Sequence, residues 1–437
     1  MILALQLILS LSLLIILHEA GHFLPAKLFK TRVEKFYLFF DPYFSLIKKK
    51  IGETEYGIGW LPLGGYVKIS GMVDESMDKD QMAQPAKPYE FRSKPAWQRL
   101  IIMVGGVTVN VIVGIVIYSV ILGVWGKEIL PTQNLTYGVA CSPLLENYGF
   151  RDGDKIVELD GVAPESFMNV NKSLLLDDVR TVTVERFGQN IILQLPEDFG
   201  QMLVDSGVRA AFTPRIPCIV DSVVVNSNAE LAGLLKGDSI VGVNTFYSPY
   251  FQDIQKYIKS SKGKSLAFHV IRDGQQVNVP IAVTNDGAIG FSPKDPSAFL
   301  TYERKEYSIG QAIPAGFSMA WETITDYGSQ LKFLFSKSGA KQVGGFATFA
   351  KLFPEQWDWE AFWSRTALIS LILAFMNILP IPALDGGHVM FLLWEMITGK
   401  AANQKVMEVA QMVGMVILLG LMLYGNGMDV VRWLTGK

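Results

Sequence analysis

At 437 residues the chain has room for several domains, and half of it is hydrophobic, with a positive mean hydropathy. A net charge of -2 offers no basic field to nucleic acid. Two cysteines, Cys141 and Cys218, make neither a disulfide framework nor a cysteine-based zinc site, and two buried free thiols fit them better than a cross-link.

The first seventeen residues, Met1 to Leu17, are apolar and carry no charge. They run directly into His18-Glu19-Ala20-Gly21-His22, the H-E-x-x-H pattern, which takes two of the four histidines in the chain. Helical residues four apart share a face, so His18 and His22 can reach one metal ion, with Glu19 beside it to move protons. Ionisable groups in a membrane helix cost roughly 2.5 kcal/mol or more each and mark functional sites. There is no basic n-region and no A-x-A site, so the segment reads as an uncleaved first span, not a signal peptide.

Apolar runs long enough for a bilayer appear four times, at about Leu3–Leu24, Leu100–Val124, Ala367–Leu384 and Val409–Tyr424; prolines interrupt the third. Lys27, Lys30, Arg32 and Lys35 follow the first span, and Arg92, Lys94 and Arg99 precede the second. The positive-inside rule therefore predicts a cytoplasmic segment between them, with the long middle segment and both termini outside.

Between Val33 and Ser70, short aromatic and β-branched runs punctuated by Gly and Pro predict hairpins whose open edge could take a substrate as an added strand. Asp74–Pro88 reads as a linker. Further on, Gly149 to Gly161 matches Gly233 to Thr245 at a constant offset of 84 residues. The shared G-x-x-x-G-D-x-I pattern resembles the turn and strand after the short helix of PDZ domains. It predicts two tandem PDZ-like modules, either peptide-binding or serving as steric bulk. Ile309–Trp321 and Leu331–Phe335 are expected as amphipathic helices on the membrane surface, with Trp357, Trp359 and Trp363 at the interface.

A catalytic zinc takes three protein ligands and one open position. The third candidate lies in Asn377-Ile378-Leu379-Pro380-Ile381-Pro382-Ala383-Leu384-Asp385-Gly386-Gly387-His388, a Pro- and Gly-broken segment of the kind tolerated at membrane depth where it lines a cavity. Asp385 and His388 compete on spacing, and Glu395 is a weaker candidate. Ligand type leaves Fe(II) or Co(II) open beside zinc.

H-E-x-x-H at the end of a first span, with N-x-x-P-x-P-x-L-D-G-G late in the chain, resembles the site-2 protease family of intramembrane zinc metalloproteases. The tandem modules between spans two and three are similar to its bacterial regulator-of-sigma-E protease subgroup, as are Phe91 to Arg99, Gly105-Gly106 to Asn110 and Pro62 to Lys68. The resemblance implies Zn2+ on His18, His22 and Asp385, with Glu19 as the catalytic proton carrier and His388 in an outer or structural role. It implies substrate contacts from Asn377, Pro380, Pro382 and the hairpin residues Gly59, Leu61 and Gly64. It further implies single-pass membrane substrates such as anti-sigma factors and remnant signal peptides, trimmed first by an upstream site-1-type protease. The location implied is a bacterial inner membrane with the modules extracytoplasmic. One departure stands: Val343-Gly344-Gly345-Phe346 lies where the family commonly carries Gly-Pro.

The expected fold is a polytopic α-helical membrane protein of about four transmembrane helices, with membrane-associated β-hairpins and two extracytoplasmic PDZ-like α+β domains. Its parts are a first span with the metal motif (1–26), hairpins and linker (27–98), a second span (99–127), the modules (128–205 and 206–290), a surface-helix region (291–363), a third span with the L-D-G-G motif (364–387), a short helix or loop (388–403), a fourth span (404–426) and a tail (427–437). A membrane scaffold with a closed structural zinc is disfavoured by only three evident ligands, and a transporter by the lack of inverted repeats of spans.

Overall fold

The computed structural model describes residues 2–72, 85–208, 210–334, 336, 339 and 343–435; most of the expected Asp74–Pro88 linker lies outside them, as does Phe335. The chain forms two compact units, Met1–Gly126 with Glu306–Lys437, and Lys127–Lys305.

Seven helices of the first unit are numbered here: α1 (Ile2–Leu28), α2 (Ala96–Val124), α3 (Ile309–Leu334), α4 (Phe346–Ala350), α5 (Trp359–Ile378), α6 (Asp385–Thr398) and α7 (Gln404–Thr435). Among the described residues α1, α2, α5 and α7 are long and apolar enough to cross a membrane, which makes this a polytopic membrane protein. Burial of apolar surface cannot drive helices together in lipid, so close contact depends on small residues. At the α1–α2 seam a Cβ on Gly21 would land on the Gly105 carbonyl, and one on Gly105 would land on the Gly21 carbonyl. The two backbones therefore touch at the turn that carries the metal motif.

The stretches expected as separate surface pieces, Ile309–Trp321 and the part of Leu331–Phe335 up to Leu334, lie on the single helix α3. One face packs on α2, where Ala320 is buried with Tyr118 and Gly316 lies against Ser119; Phe317 and Trp321 on the other face stay exposed. Helix α5 stops at Ile378, short of the end at 387 expected for the third span, because Pro380 and Pro382 have no N–H for the ladder. Ala383 then takes a left-handed φ of 78°, and α6 begins at Asp385, taking in most of the expected 388–403 segment. Gly399 closes α6 at φ 70°. Helix α7 continues to Thr435, past the end at 426 expected for the fourth span, with Asp429 accepting hydrogen bonds from Gly345 N–H and Thr348 N–H ahead of and within α4.

Strands β1 (Val33–Ile51) and β2 (Thr54–Ile69) each bend. Phe36 pairs with both Val67 and Tyr56, while Ile47 pairs with Ile58, so two long strands make a four-ribbon sheet. Positive φ at Phe39 and Tyr43 marks the bend in β1. Residues 61–69 pair only with 33–40, so one edge of this ribbon carries no strand among the described residues.

The second unit holds two modules, each with its own apolar core. The first core includes Val139, Phe150, Val182, Phe199, Leu203 and Phe212, the second Cys218, Val220, Ile240, Phe268 and Ile281. Phe199 and Leu203 therefore stay with the first module, as does Phe212, whose strand Phe212–Pro214 pairs with Val139–Cys141. The first module thus reaches past the expected junction at 205/206. Strand Phe291–Pro293 likewise pairs with Val220–Val223 and carries the second module past 290.

The repeated turn has one architecture in both modules. Asp154 accepts from Arg151 N–H and from both Nε and Nη2 of Arg186, which also donates to the Gly149 carbonyl. Asp238 accepts from Leu235 N–H and from Nε and Nη2 of Arg272, which also donates to the Gly233 carbonyl. Each Arg lies just before a hairpin turn with two successive positive-φ residues, Phe187-Gly188 and Asp273-Gly274.

Candidate metal centre

The H-E-x-x-H turn lies on α1 where that helix touches α2. His18 and His22 project toward the start of α6, and among the described residues one group brings metal-ligating atoms together: His18, His22 and Asp385, all within 4.8 Å of one another. The two Nε2 atoms are 3.3 Å apart, and each is 3.3 Å from Asp385 Oδ2. Ligands about 2.0–2.1 Å from a tetrahedral zinc stand about 3.3–3.4 Å apart, so this triangle has the size that the ion requires. Asp385 Oδ2 is buried and has no hydrogen-bond partner, the state of a ligand oxygen aimed at an ion.

The surroundings orient both rings. His22 Nδ1–H donates to the Ile102 carbonyl at 2.9 Å, which leaves its Nε2 lone pair for an ion. The side-chain amide of Asn110, fully buried on α2, lies 3.3 Å from His18 Nδ1. With its Oδ1 turned to accept from Nδ1–H, His18 Nε2 is freed in the same way, and an oxygen otherwise buried without a partner is satisfied. A Cβ on Gly106 would fall on both rings, so only glycine fits beneath them.

Asp385 reaches this place because α5 ends early and α6 starts beside it. A Cβ on Gly386 would meet the Leu379 and Ile378 carbonyls, and one on Gly387 would meet Pro382. The two glycines after the aspartate thus allow the close return of the chain.

A cavity of about 680 Å³ opens from His18, His22 and Asp385 and is lined also by Glu19, Ala383, Leu384, His388, Leu61 and residues 65–69 of the unpaired β2 edge. A Cβ on Gly65 would meet Ile15 and lie near Glu19 Cγ, which sets this edge against the metal-binding turn. A polar group stands in the cavity wall: Tyr66 donates to Asp41 Oδ1 at 2.8 Å, Ser45 to Asp41 Oδ2 at 3.0 Å, and Lys35 Nζ lies 3.4 Å from the Tyr66 hydroxyl.

The other predicted residues sort by position. The Asn377 amide nitrogen is 3.4 Å from His18 Nε2. His388 lines the cavity but is not in the converging group, and Glu395 is held by Arg99. Leu61 reaches the cavity; Gly59 and Gly64 instead pack against Phe40, and Pro382 packs under Gly387. Pro380 does not line the cavity. Sequence reasoning gave Asn110 no role, although a lone amide in the apolar run of α2 was visible; the Ile102 carbonyl leaves no sequence signal.

Comparison with known proteins adds an independent line. The family model described as peptidase family M50 matches residues 6–421. The chain is 28% identical to the "Regulator of sigma E protease" of Haemophilus influenzae, over 97% of this chain and 98% of that protein. It is 28% identical to the "Regulator of sigma-E protease RseP" of Escherichia coli, over 96% and 97%. A Vibrio cholerae protein named "Putative zinc metalloprotease" is also 28% identical, over 97% of each. With a match across nearly its whole length, the chain belongs to peptidase family M50 and is a membrane zinc metalloprotease.

Proposed function

We propose that the protein cleaves peptide bonds within the membrane-spanning segments of single-pass membrane proteins, using zinc on His18, His22 and Asp385. The observation that supports this most directly is the triangle of candidate ligand atoms, two of them on a helix of spanning length, in a cavity lined also by an unpaired strand edge. Zinc held there would supply a Lewis acid that polarises a carbonyl and acidifies water. The remaining work falls to the chain. Glu19 takes a proton from the attacking water on its carboxylate and returns it to the leaving amine. The Asn377 amide donates to the oxygen that gains charge. Asn110 and the Ile102 carbonyl fix the imidazole tautomers. A membrane helix hydrogen-bonds its own amides, so a substrate must unwind before attack, and the free edge of β2 at 61–69, with Gly59 and Gly64 shaping the ribbon, gives the opened strand main-chain partners. Pro380 and Pro382 hold open the segment that brings Asp385 in.

The relatives named as regulators of sigma E support anti-sigma-factor-type substrates, with remnant signal peptides as a second class and an upstream site-1-type protease acting first. The charge distribution supports an inner-membrane orientation with the β1–β2 region cytoplasmic and the two modules outside. The modules are PDZ-like in this reading and screen substrates by size. Deleting 128–290 should then let untrimmed substrates be cut in cells; their remaining uncut would refute the screen.

The test is cleavage of a detergent-solubilised single-pass substrate by wild type and Glu19→Gln, with zinc quantified in both. Cleavage lost with one zinc per chain retained is the expected result. Cleavage that persists in Glu19→Gln would overturn the assignment.

A further inference from the structure

We propose that Gln411, on the last spanning helix α7, hydrogen-bonds the main chain of the substrate from the side opposite the β2 edge; this rests on the protease reading above. Most of α7 is exposed, and among its described residues Gln411, Gly414 and Gly425 are buried. A Cβ on Gly414 would fall on the Pro382 carbonyl, so the helix lies directly against the segment that delivers Asp385. Gln411, one turn before Gly414, lines the metal-site cavity together with Glu19 and Asp385, and also a small adjoining cavity beside His388 and Phe391.

A buried amide costs about 1–3 kcal/mol unless it is hydrogen-bonded. Gln411 is 6% exposed, and among the described residues its side-chain amide has no hydrogen-bond partner. Some other buried polar groups in these helices are paired, and the unpaired Gln6 Oε1 and Ser10 Oγ on α1 do not line the cavity, as Gln411 does. Gln6 donates to the Pro354 carbonyl, Thr366 to the Phe362 carbonyl and Ser370 to the Asn110 carbonyl. The Gln411 amide is not among the atoms sealed without a partner, and it lines the cavity, so a group that enters there can meet it.

The chemistry of that partner follows from the group. A primary amide carries both donor and acceptor and matches a peptide unit, donating to its C=O and accepting from its N–H. A strand laid along residues 65–69 uses the peptide groups facing β2 for pairing and turns the alternate ones away. Those outward groups would be left unsatisfied in an apolar site, and Gln411 answers one of them.

The experiment uses the full-length, zinc-loaded protein and a single-pass substrate whose residues around the scissile bond are replaced singly by α-hydroxy acids, so that each ester removes one N–H. Gln411→Leu should raise KM about 5–10-fold, with kcat within about twofold and one zinc per chain, as expected for a lost hydrogen bond made in both ground and transition states. One ester position should cost wild type a similar factor and cost Gln411→Leu nothing further. Gln411→Leu acting like wild type, equal ester losses in both proteins, or a fall in zinc content would each overturn the assignment. A wild type that cuts no such substrate, or cuts it equally after zinc is stripped, would instead bring down the intramembrane-protease reading and this inference with it.

Discussion

Two kinds of aspartate divide this molecule. Asp154 and Asp238 in the second unit have side chains only 1% exposed, yet each is fully engaged by an arginine fork and a backbone N–H. Asp385 in the first unit, 15% exposed, keeps Oδ2 free of any hydrogen bond and faces two imidazole nitrogens. Burial alone therefore does not separate a structural charge from a functional one. Closure does: both oxygens of each turn aspartate accept from donors within the fold, and Asp385 Oδ2 accepts from none.

The comparison is broken most severely at Asp385. Asp385→Asn should abolish cleavage and lower zinc affinity by more than about 100-fold, since even residues behind the ligands typically cost 10–100-fold. Zinc titration with a competing chelator checks this. Unchanged affinity would mean that the open oxygen has no ligand role.

Next in size is the seam beneath the ligands. Gly105→Leu places a side chain where the Gly21 carbonyl lies, so α1 and α2 must separate. Zinc binding and cleavage should both be lost, and thermal unfolding of the first unit should come at lower temperature. A variant that retains both would mean that the backbone contact does not hold the ligands.

Asp238→Asn tests the closed class. Losing a charged partner from the Arg272 fork should destabilise the second module by about 2–3 kcal/mol, seen as faster hydrogen exchange around 233–243, while zinc content stays at one per chain. Burial opposes ionisation of Asp238, but the Arg272 hydrogen bonds, the Leu235 N–H and the Arg272 charge outweigh it and hold its carboxyl below the usual carboxylate range. A depressed folded pKa stabilises above the unfolded value of about 3.9 and is lost as pH falls through the folded one. Acid should therefore loosen the wild-type module in that window and should change Asp238→Asn less.

The smallest effect concerns the thiols. Cys141 and Cys218 are free and buried; burial, reinforced by the Asp152 and Asp154 carboxylates, pushes Cys141 up to about 12, and burial raises Cys218 as well. Neither should react with iodoacetamide near neutral pH in the folded protein. Rapid labelling would show that the cores open.

The sequence carried the metal motif, the four long apolar runs and the repeated Gly-Asp turn because each is local. Positions four apart on a helix, an uninterrupted apolar run and a G-x-x-x-G-D pattern need no tertiary information. Arg186 and Arg272, which close those turns, escaped because their partners lie 32 and 34 residues away. The choice between Asp385 and His388 could not be made from spacing, since it depends on how tightly the chain folds back after Ile378. The end of α5 was foreshadowed by Pro380 and Pro382, but the restart at Asp385 was not. Continuity of α3 was hidden by the polar residues between its two apolar stretches; these are tolerated because only one face meets α2.

The order of the ligands along the chain has a consequence for biogenesis. His18 and His22 emerge from the ribosome first, and Asp385 emerges 363 residues after His22, once both modules have been made. At about 5–20 residues per second, tens of seconds separate the two events. During that interval the nascent protein has the α1–α2 seam with His18 and His22 but lacks the third member of the converging group. Completion of the site thus waits until the two modules of the second unit have had time to fold.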